Sequence, residues 1–407
     1  MPSIVDIRHY MRPGLLQLTE LPPLSLYIHL PWCIRKCPYC DFNSHTLGQP
    51  LAQSQARMAE YLQALEADLD AALPLVWGRS VVSIFLGGGT PSLLSAEQVD
   101  QLIASVRARL RLMPGCEITL EANPGTFETD RFAAYRQAGV TRLSIGVQSF
   151  DDKLLEKIGR IHNAEQARAA VHEASESFET FNLDLMYALP GQTPEMLAGE
   201  VATALACQPP HLSIYHLTIE PNTYFAKYPP PTPDEDTAYA MLDHITEATG
   251  QQGLQRYEVS AYAQPGHQCL HNRNYWEFGD YLGIGAGAHS KLSFAHRIVR
   301  QVRVRDPQRY MQAARQQQAI AQEHDIARAD LPFEYMLNAL RLKDGFQLQD
   351  FQSRTGLPLS SIQSGLDRAL SLQMLERHPD GHIQPTTRGF DFLSNLQSLF
   401  LPQTRSA

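Results

Sequence analysis

The chain has 407 residues, 43% of them hydrophobic and 19% charged, so it can bury a core without help from disulfides or metals. Its 34 Lys and Arg against 43 Asp and Glu leave a formal charge of -9, which argues against a nucleic-acid binder. Met1 to Glu20 holds no apolar run of the secretory kind, and no later run is long enough to span a bilayer. Six cysteines stand at 33, 37, 40, 116, 207 and 269, three crowded together and three isolated. That is not a secreted disulfide framework, and a reducing cytoplasm is the expected compartment.

From Leu24 onward, short runs rich in Val, Ile, Leu and Tyr alternate with stretches of helical period. Strands are predicted at 24–30, 81–86, 117–122, 142–147, 181–187, 211–217 and 257–262. Helices are predicted at 58–72, 96–110, 130–137, 164–174, 194–206 and 237–250. Such alternation implies parallel strands with right-handed crossovers, hence an incomplete (β/α) barrel of the α/β class. The unusual local sequences fall where strands end: Gly87 to Ser92, Glu121 to Pro124, Gly146 to Ser149, and Asp184 with Leu189 to Gln192. In a parallel barrel these positions meet on one rim, where active sites form. Ala226 to Asp234, with Pro229 to Pro233 inside it, reads as a stiff surface connection.

The character changes after about Ser290. Helices are expected at 307–318, 331–341, 348–355 and 359–372, then a hairpin around Pro379 to Gly381 and a last helix from Thr387. Helices followed by such a hairpin suggest a small winged-helix-like unit. The resulting division is an extension over 1–20, a barrel domain over 21–290 and a helical C-terminal domain over 291–407. The tail lacks a dense basic face, so a covering or docking role fits it better than DNA binding.

Cys33, Cys37 and Cys40 carry the strongest chemical signal. Soft thiolates suit cluster irons, and spacings of three and two intervening residues let one loop wrap a single cube. Three ligands leave the fourth iron open, a position S-adenosylmethionine (SAM) can chelate. The rival reading is zinc, with His29 or His45 as fourth ligand, although no second ligand pair of suitable spacing lies nearby. Gly87 to Gly89 could bring backbone close to a ligand or simply make a tight turn. Glu121, Asp184, Gln148 and Arg160 could hold polar ligand groups or serve as ordinary caps and loop residues. His271 beside Tyr275 and Trp276 offers an imidazole next to two rings, yet by itself reads as a residue satisfying polar neighbours. Cys269 is a weaker alternative as an iron ligand, and His289 reads as structural.

Tyr27 to Phe42, Gly87 to Pro91 and Gly146 to Phe150 together resemble the radical SAM proteins related to oxygen-independent coproporphyrinogen III oxidase. The likeness runs from about Leu21 to Asn395. The oxidases carry a further cysteine two positions after the third, where this chain has Phe42. His271 to Trp276 instead resembles the His-Asn-x-x-Tyr-Trp motif of the HemW-type haem chaperones. The resemblance implies a 4Fe-4S cluster on Cys33, Cys37 and Cys40, and SAM at Tyr27, Gly88, Gly89, Thr90, Glu121, Gln148, Arg160 and Asp184. It puts His271 on the haem side. It also implies haem-accepting proteins as partners, with any membrane contact peripheral and through those acceptors. The expected function is haem delivery, with oxidative decarboxylation of porphyrinogen propionates as the enzymatic alternative.

Overall fold

The computed structural model describes residues 16–48, 50–126 and 131–402. Residues 1–15 of the expected N-terminal extension, the start of the helix predicted at Asp130, and the last five residues of the expected C-terminal domain lie outside that set. Six strands, β1 (Leu24–Leu30), β2 (Ser80–Gly88), β3 (Arg111–Ala122), β4 (Arg142–Gln148), β5 (Phe181–Tyr187) and β6 (His211–His216), lie side by side in parallel. Helices such as Leu51–Ala72, Ala96–Arg109, Ala164–Ser177 and Pro194–Ala206 make the crossovers. Ser95 and Asn163 start two of these with reciprocal capping boxes, satisfying orphan amides of the first turn.

The side chains alternate strictly. Leu24, Leu26, Ile28 and Leu30 enter the main apolar core together with Leu65, Leu69, Ile84, Leu120 and Leu183. Ser25, Tyr27 and His29, on the opposite face of β1, point into the barrel, where Ser25 meets Ser83 at 2.7 Å. One face of each strand thus makes core and the other makes the interior wall.

The sheet does not close. After β7 (Gln255–Arg256) and β8 (Ala261–Ala263), the chain returns to place β9 (Asp280–Ile284) parallel to β1. Then β10 (His289–Phe294), β11 (Arg297–Arg303) and β12 (Ile320–Asp325) follow antiparallel. Among the described residues the order is β12-β11-β10-β9-β1-β2-β3-β4-β5-β6-β8-β7, an open twelve-stranded sheet.

Three expectations change. The run at 257–262 is not one parallel strand: it bends after Tyr257, and β8 pairs antiparallel with both β6 and β7. A turn held by Ser260 N–H donating to Glu258 at 3.1 Å breaks it. The helix predicted over 359–372 splits into a short 3-10 turn, Leu359–Ser361, and Gln363–Ser371. The sheet crosses residue 290, so the boundary expected there does not mark its edge. The helix Pro307–Arg315 packs back on Leu51–Ala72, with Tyr310 donating to buried Asp68 at 2.8 Å.

A second core gathers Tyr335, Phe346, Phe351, Leu366, Leu375 and Ile383 from the tail, and takes in Leu16, Leu18, Phe278 and Ile298. Its order of helix, strand, helix, helix and hairpin, with strands Phe346–Gln347, Leu375–Arg377 and His382–Pro385, is that of a winged helix. Among the described residues, no helix is long and apolar enough to cross a membrane.

Candidate cofactor site

The rim at the C-terminal ends of β1 to β6 opens into a cavity of about 500 Å³. Its wall is read off the strands at every second position: Thr119 and Glu121, Arg142, Ser144, Gly146 and Gln148, Asn182 and Asp184, His211, Ser213 and Tyr215. At the mouth lies the cysteine loop. Cys33, Cys37 and Cys40 are free, half-buried thiols, and all three line this cavity.

The loop is held at several points. Trp32–Cys33 pairs in parallel with His45–Thr46. Buried His29 is kept neutral, its pKa pushed down to about 4 chiefly by desolvation. It therefore donates from Nε2 to the Asn43 carbonyl at 3.0 Å and accepts the Tyr27 hydroxyl on Nδ1 at 3.0 Å. Asn43 in turn donates to the carbonyls of Ala286 and Arg305 at 3.0 and 2.8 Å, tying the loop to the Gly-rich turn after β9. The thiols have polar neighbours: Thr90 Oγ1 lies 3.4 Å from Cys33, Ser44 Oγ 3.4 Å from Cys40, and Arg160 Nη1 3.7 Å from Cys37.

The glycines at the end of β2 are required by proximity. Gly89 N–H donates to the Leu30 carbonyl at 2.7 Å, and a Cβ on Gly89 would fall 2.6 Å from the Trp32 carbonyl oxygen. Gly88 has φ +108°, and a Cβ there would meet the His29 ring at 2.4 Å. Gln148 adopts φ 66° at the end of β4, the left-handed strain that accumulates at functional sites.

Two acids face each other across the interior. Glu121 accepts from Gly88 N–H at 3.0 Å, yet burial first, and Asp184 second, push its pKa up to about 8. Asp184 accepts from Ser144 at 3.0 Å and Asn182 at 2.8 Å, and burial still raises it to about 6. Two desolvated carboxyls in one cavity suit a ligand bearing a cation and hydroxyls. Half-buried Arg160 donates to Asn123 and to the Gly146 carbonyl, at 2.9 and 2.6 Å, while its buried Nε has no protein partner among the described residues.

The three cysteines and Gly88, Gly89, Thr90, Glu121, Gln148, Arg160 and Asp184 line this cavity, whereas Tyr27, Gly87, His271, Tyr275 and Trp276 do not. Tyr27 is bonded to His29 at 3.0 Å and stacks on Phe85 at 6.3 Å. His271 is carried by a helix the sequence did not announce, Leu270–Trp276, whose Asn272 lines the cavity. Its ring packs 5.0 Å from that of Phe85 and 6.3 Å from that of Tyr27, and Nδ1 is 3.2 Å from Ser83 Oγ. Tyr275 and Trp276 pack edge to face at 4.9 Å, with Trp276 under the Arg341 guanidinium at 4.2 Å and Tyr275 against Tyr281 at 5.1 Å. Sequence reading missed Arg142, Ser144, Asn182, His211, Ser213, Tyr215 and His216. Period-two alternation along strands already assigned was the signal for most of them.

A family profile described as the radical SAM superfamily matches residues 27–202, and one described as the HemN C-terminal domain matches residues 326–392. A protein named heme chaperone HemW from Escherichia coli is 46% identical over 388 residues, covering 95% of this chain and 100% of that protein. The chain belongs to the HemW family. A second HemW, from Haemophilus influenzae, is 44% identical over 388 residues, again covering 95% of this chain and all of its own length. The HemW-family fold is shared with the solved coproporphyrinogen III oxidase HemN of E. coli, at TM-score 0.79 and 23% identity over 97% of this chain and 98% of that one. The open sheet and its tail unit are therefore a radical SAM fold with a HemN-type C-terminal domain.

Proposed function

We propose that this chain holds a 4Fe-4S cluster on Cys33, Cys37 and Cys40, binds SAM in the adjoining cavity, and takes up haem for delivery to acceptor proteins. The supporting observation is the convergence of three free thiols and two desolvated carboxyls on one cavity with a glycine-opened wall. The donor set fits a cubane: soft sulfur ligands on one loop, a cation at Cys37, and room beside them for a further ligand. When bound, the cluster supplies an electron to the SAM sulfonium. The chain's own groups do the rest. Thr90 and Arg160 steady the thiolates, Glu121 and Asp184 receive ammonium and ribose hydroxyls, Gly88 and Gly89 admit the ligand to the backbone, and Gln148 closes the wall.

For haem, the family resemblance points to His271. That ring lies against Phe85 and beside Asn272, both of which line the cavity, and its Nδ1 is 3.2 Å from Ser83 Oγ. At the oxidases' extra cysteine stands Phe42, 59% exposed at the cavity mouth. Porphyrinogen decarboxylation is therefore not expected, and turnover of coproporphyrinogen III under reducing, SAM-replete conditions would restore the oxidase reading.

Anaerobic reconstitution should load about four irons and four sulfides per chain. Replacing any of Cys33, Cys37 or Cys40 by Ala should bleach the cluster, whereas Cys116→Ala or Cys207→Ala should not. SAM should change the electron paramagnetic resonance spectrum of the reduced cluster, and the haem-loaded protein should pass haem to an apo acceptor. One zinc per chain in place of iron would sink the cluster assignment.

A further inference from the structure

Asp184 does not stand alone on the cavity wall. The strand register sets Ser144 of β4 beside Asn182 of β5, and Asn182 beside His211 of β6. These three side chains, with Ser213 and Tyr257, are buried and form an unbroken series of hydrogen bonds that ends on the Asp184 carboxylate. Asn182 Nδ2 donates to Asp184 Oδ1 at 2.8 Å and to Ser144 Oγ at 2.7 Å, and Ser144 donates to Asp184 Oδ2 at 3.0 Å. On its other side, Asn182 Oδ1 lies 2.6 Å from His211 Nδ1 and accepts from Ser213 Oγ at 3.0 Å. His211 Nε2 lies 2.9 Å from the Tyr257 hydroxyl, whose oxygen accepts from Cys269 N–H at 3.3 Å.

One end of the series sets the direction of every bond in it. An ionised carboxylate only accepts, so Asp184 draws the NH2 of Asn182 toward itself, and the reversed amide would set a carbonyl oxygen against that charge. Asn182 Oδ1 then faces His211 and can only accept, which puts an imidazole proton on Nδ1. Burial above all, with Arg142 and His267 nearby, holds the His211 pKa well below its ordinary value, so the ring carries this one proton and Nε2 accepts from Tyr257. Cys269 caps the helix Leu270–Trp276 with no side-chain bond, so the series runs from the cavity acid to that helix start.

We infer that His211 is a positioning residue of the cofactor site, locking the Asn182 amide so that Asp184 presents its carboxylate to SAM in one fixed orientation. The inference rests on the SAM reading proposed above. Without the Nδ1 donor, only Ser213 remains on Asn182 Oδ1, and a rotatable hydroxyl serves either orientation of the amide. The carboxylate then loses its aligned partner, and an incoming ligand must order it first.

Two measurements on the cluster-loaded full chain test this. Proton–nitrogen NMR with isotope-labelled histidine should find the His211 ring, assigned from the signal lost in His211→Asn, protonated on Nδ1 and bare on Nε2. SAM affinity is followed through the change SAM makes in the electron paramagnetic resonance spectrum of the reduced cluster. His211→Leu, which fills the site but has no donor, should weaken SAM binding about tenfold at unchanged cluster content. His211→Asn, whose amide can stand where Nδ1 stood, should bring affinity back to within about threefold of the parent. A proton on Nε2 in the parent would overturn the assignment, as would parental SAM affinity in His211→Leu or an equal loss in both variants. A parent that binds no SAM removes the cofactor reading instead, and the protonated nitrogen still decides which way the Asn182 amide points.

Discussion

Glu121 is desolvated on the cavity wall, and its folded-state pKa of about 8 stands well above the ordinary carboxylate value. The sign of its contribution follows. The unfolded chain releases this proton near the ordinary value, so above that pH the folded chain binds more protons, and stability falls with rising pH until about 8. His29, His162 and His271, each lowered to about 4 by desolvation, act oppositely, but only up to their unfolded value near 6.5. Between about pH 6.5 and 8 the carboxyl therefore acts alone among these groups. In SAM-free protein, stability should fall by roughly 1–2 kcal/mol across that interval. Glu121→Gln should flatten the profile, as should a saturating cationic ligand. Denaturant titrations at closely spaced pH values measure it, and a level profile in the parent counts against the buried-acid account. At this scale the sequence was informative about residue type and silent about burial: Glu121 and Asp184 were visible as candidates, but nothing in a carboxylate's neighbours along the chain says that water is excluded from it.

Strands with a side that faces only other protein read well, because Val, Ile and Leu recur on the helix-facing side; β1, β5 and the helix Pro194–Ala206 keep the bounds expected of them. The Leu270–Trp276 helix was illegible, with seven mostly polar residues and no apolar stripe. What makes it helical is tertiary. Asn274 donates to Ser25 Oγ at 2.8 Å and to the Asp280 carbonyl at 3.0 Å, and a Cβ on Gly279 would lie 1.9 Å from its amide oxygen. The strand β9 was hidden for the same reason. It begins with Asp280, fully buried against Lys291 at 3.1 Å and Arg79 at 2.8 Å, and such pairing cannot be foreseen from propensity. Asn274→Ala should destabilise the protein by about 1–3 kcal/mol, since it strands buried partners on two strands. Equilibrium urea unfolding reads this directly, and a change of only a few tenths would mean that the helix is held by its rings instead.

Across the whole molecule, the tail unit and the sheet share structure where the sequence suggested a boundary. Phe278, which follows the His271 helix, packs 5.5 Å from Tyr335 of the tail core. Lys343 N–H donates to the Tyr257 carbonyl at 2.9 Å, Arg341 reaches Glu258 at 3.6 Å, and Arg300 of β11 pairs with Glu334. The hairpin at Pro379 to Gly381 was legible from its turn residues, but these cross-contacts have no local signature. Tyr335→Ala, which removes a side chain ringed by Phe278, Phe346 and Phe351, should cost about 3–5 kcal/mol. Because Phe278 belongs to both parts, calorimetry should still show one transition; two resolved transitions would show that the tail melts by itself.

The strict alternation along the parallel strands separates two inheritances. Leu120, Leu143, Leu183 and Leu212 decide whether the sheet and its helices hold together, while their neighbours Thr119, Ser144, Asn182 and Ser213 decide what the interior recognises. A lineage can therefore rewrite its ligand one inward position at a time without loosening the outward layer. That modular freedom makes this scaffold open to redesign, and it explains in physical terms how a shared architecture can outlast a shared task.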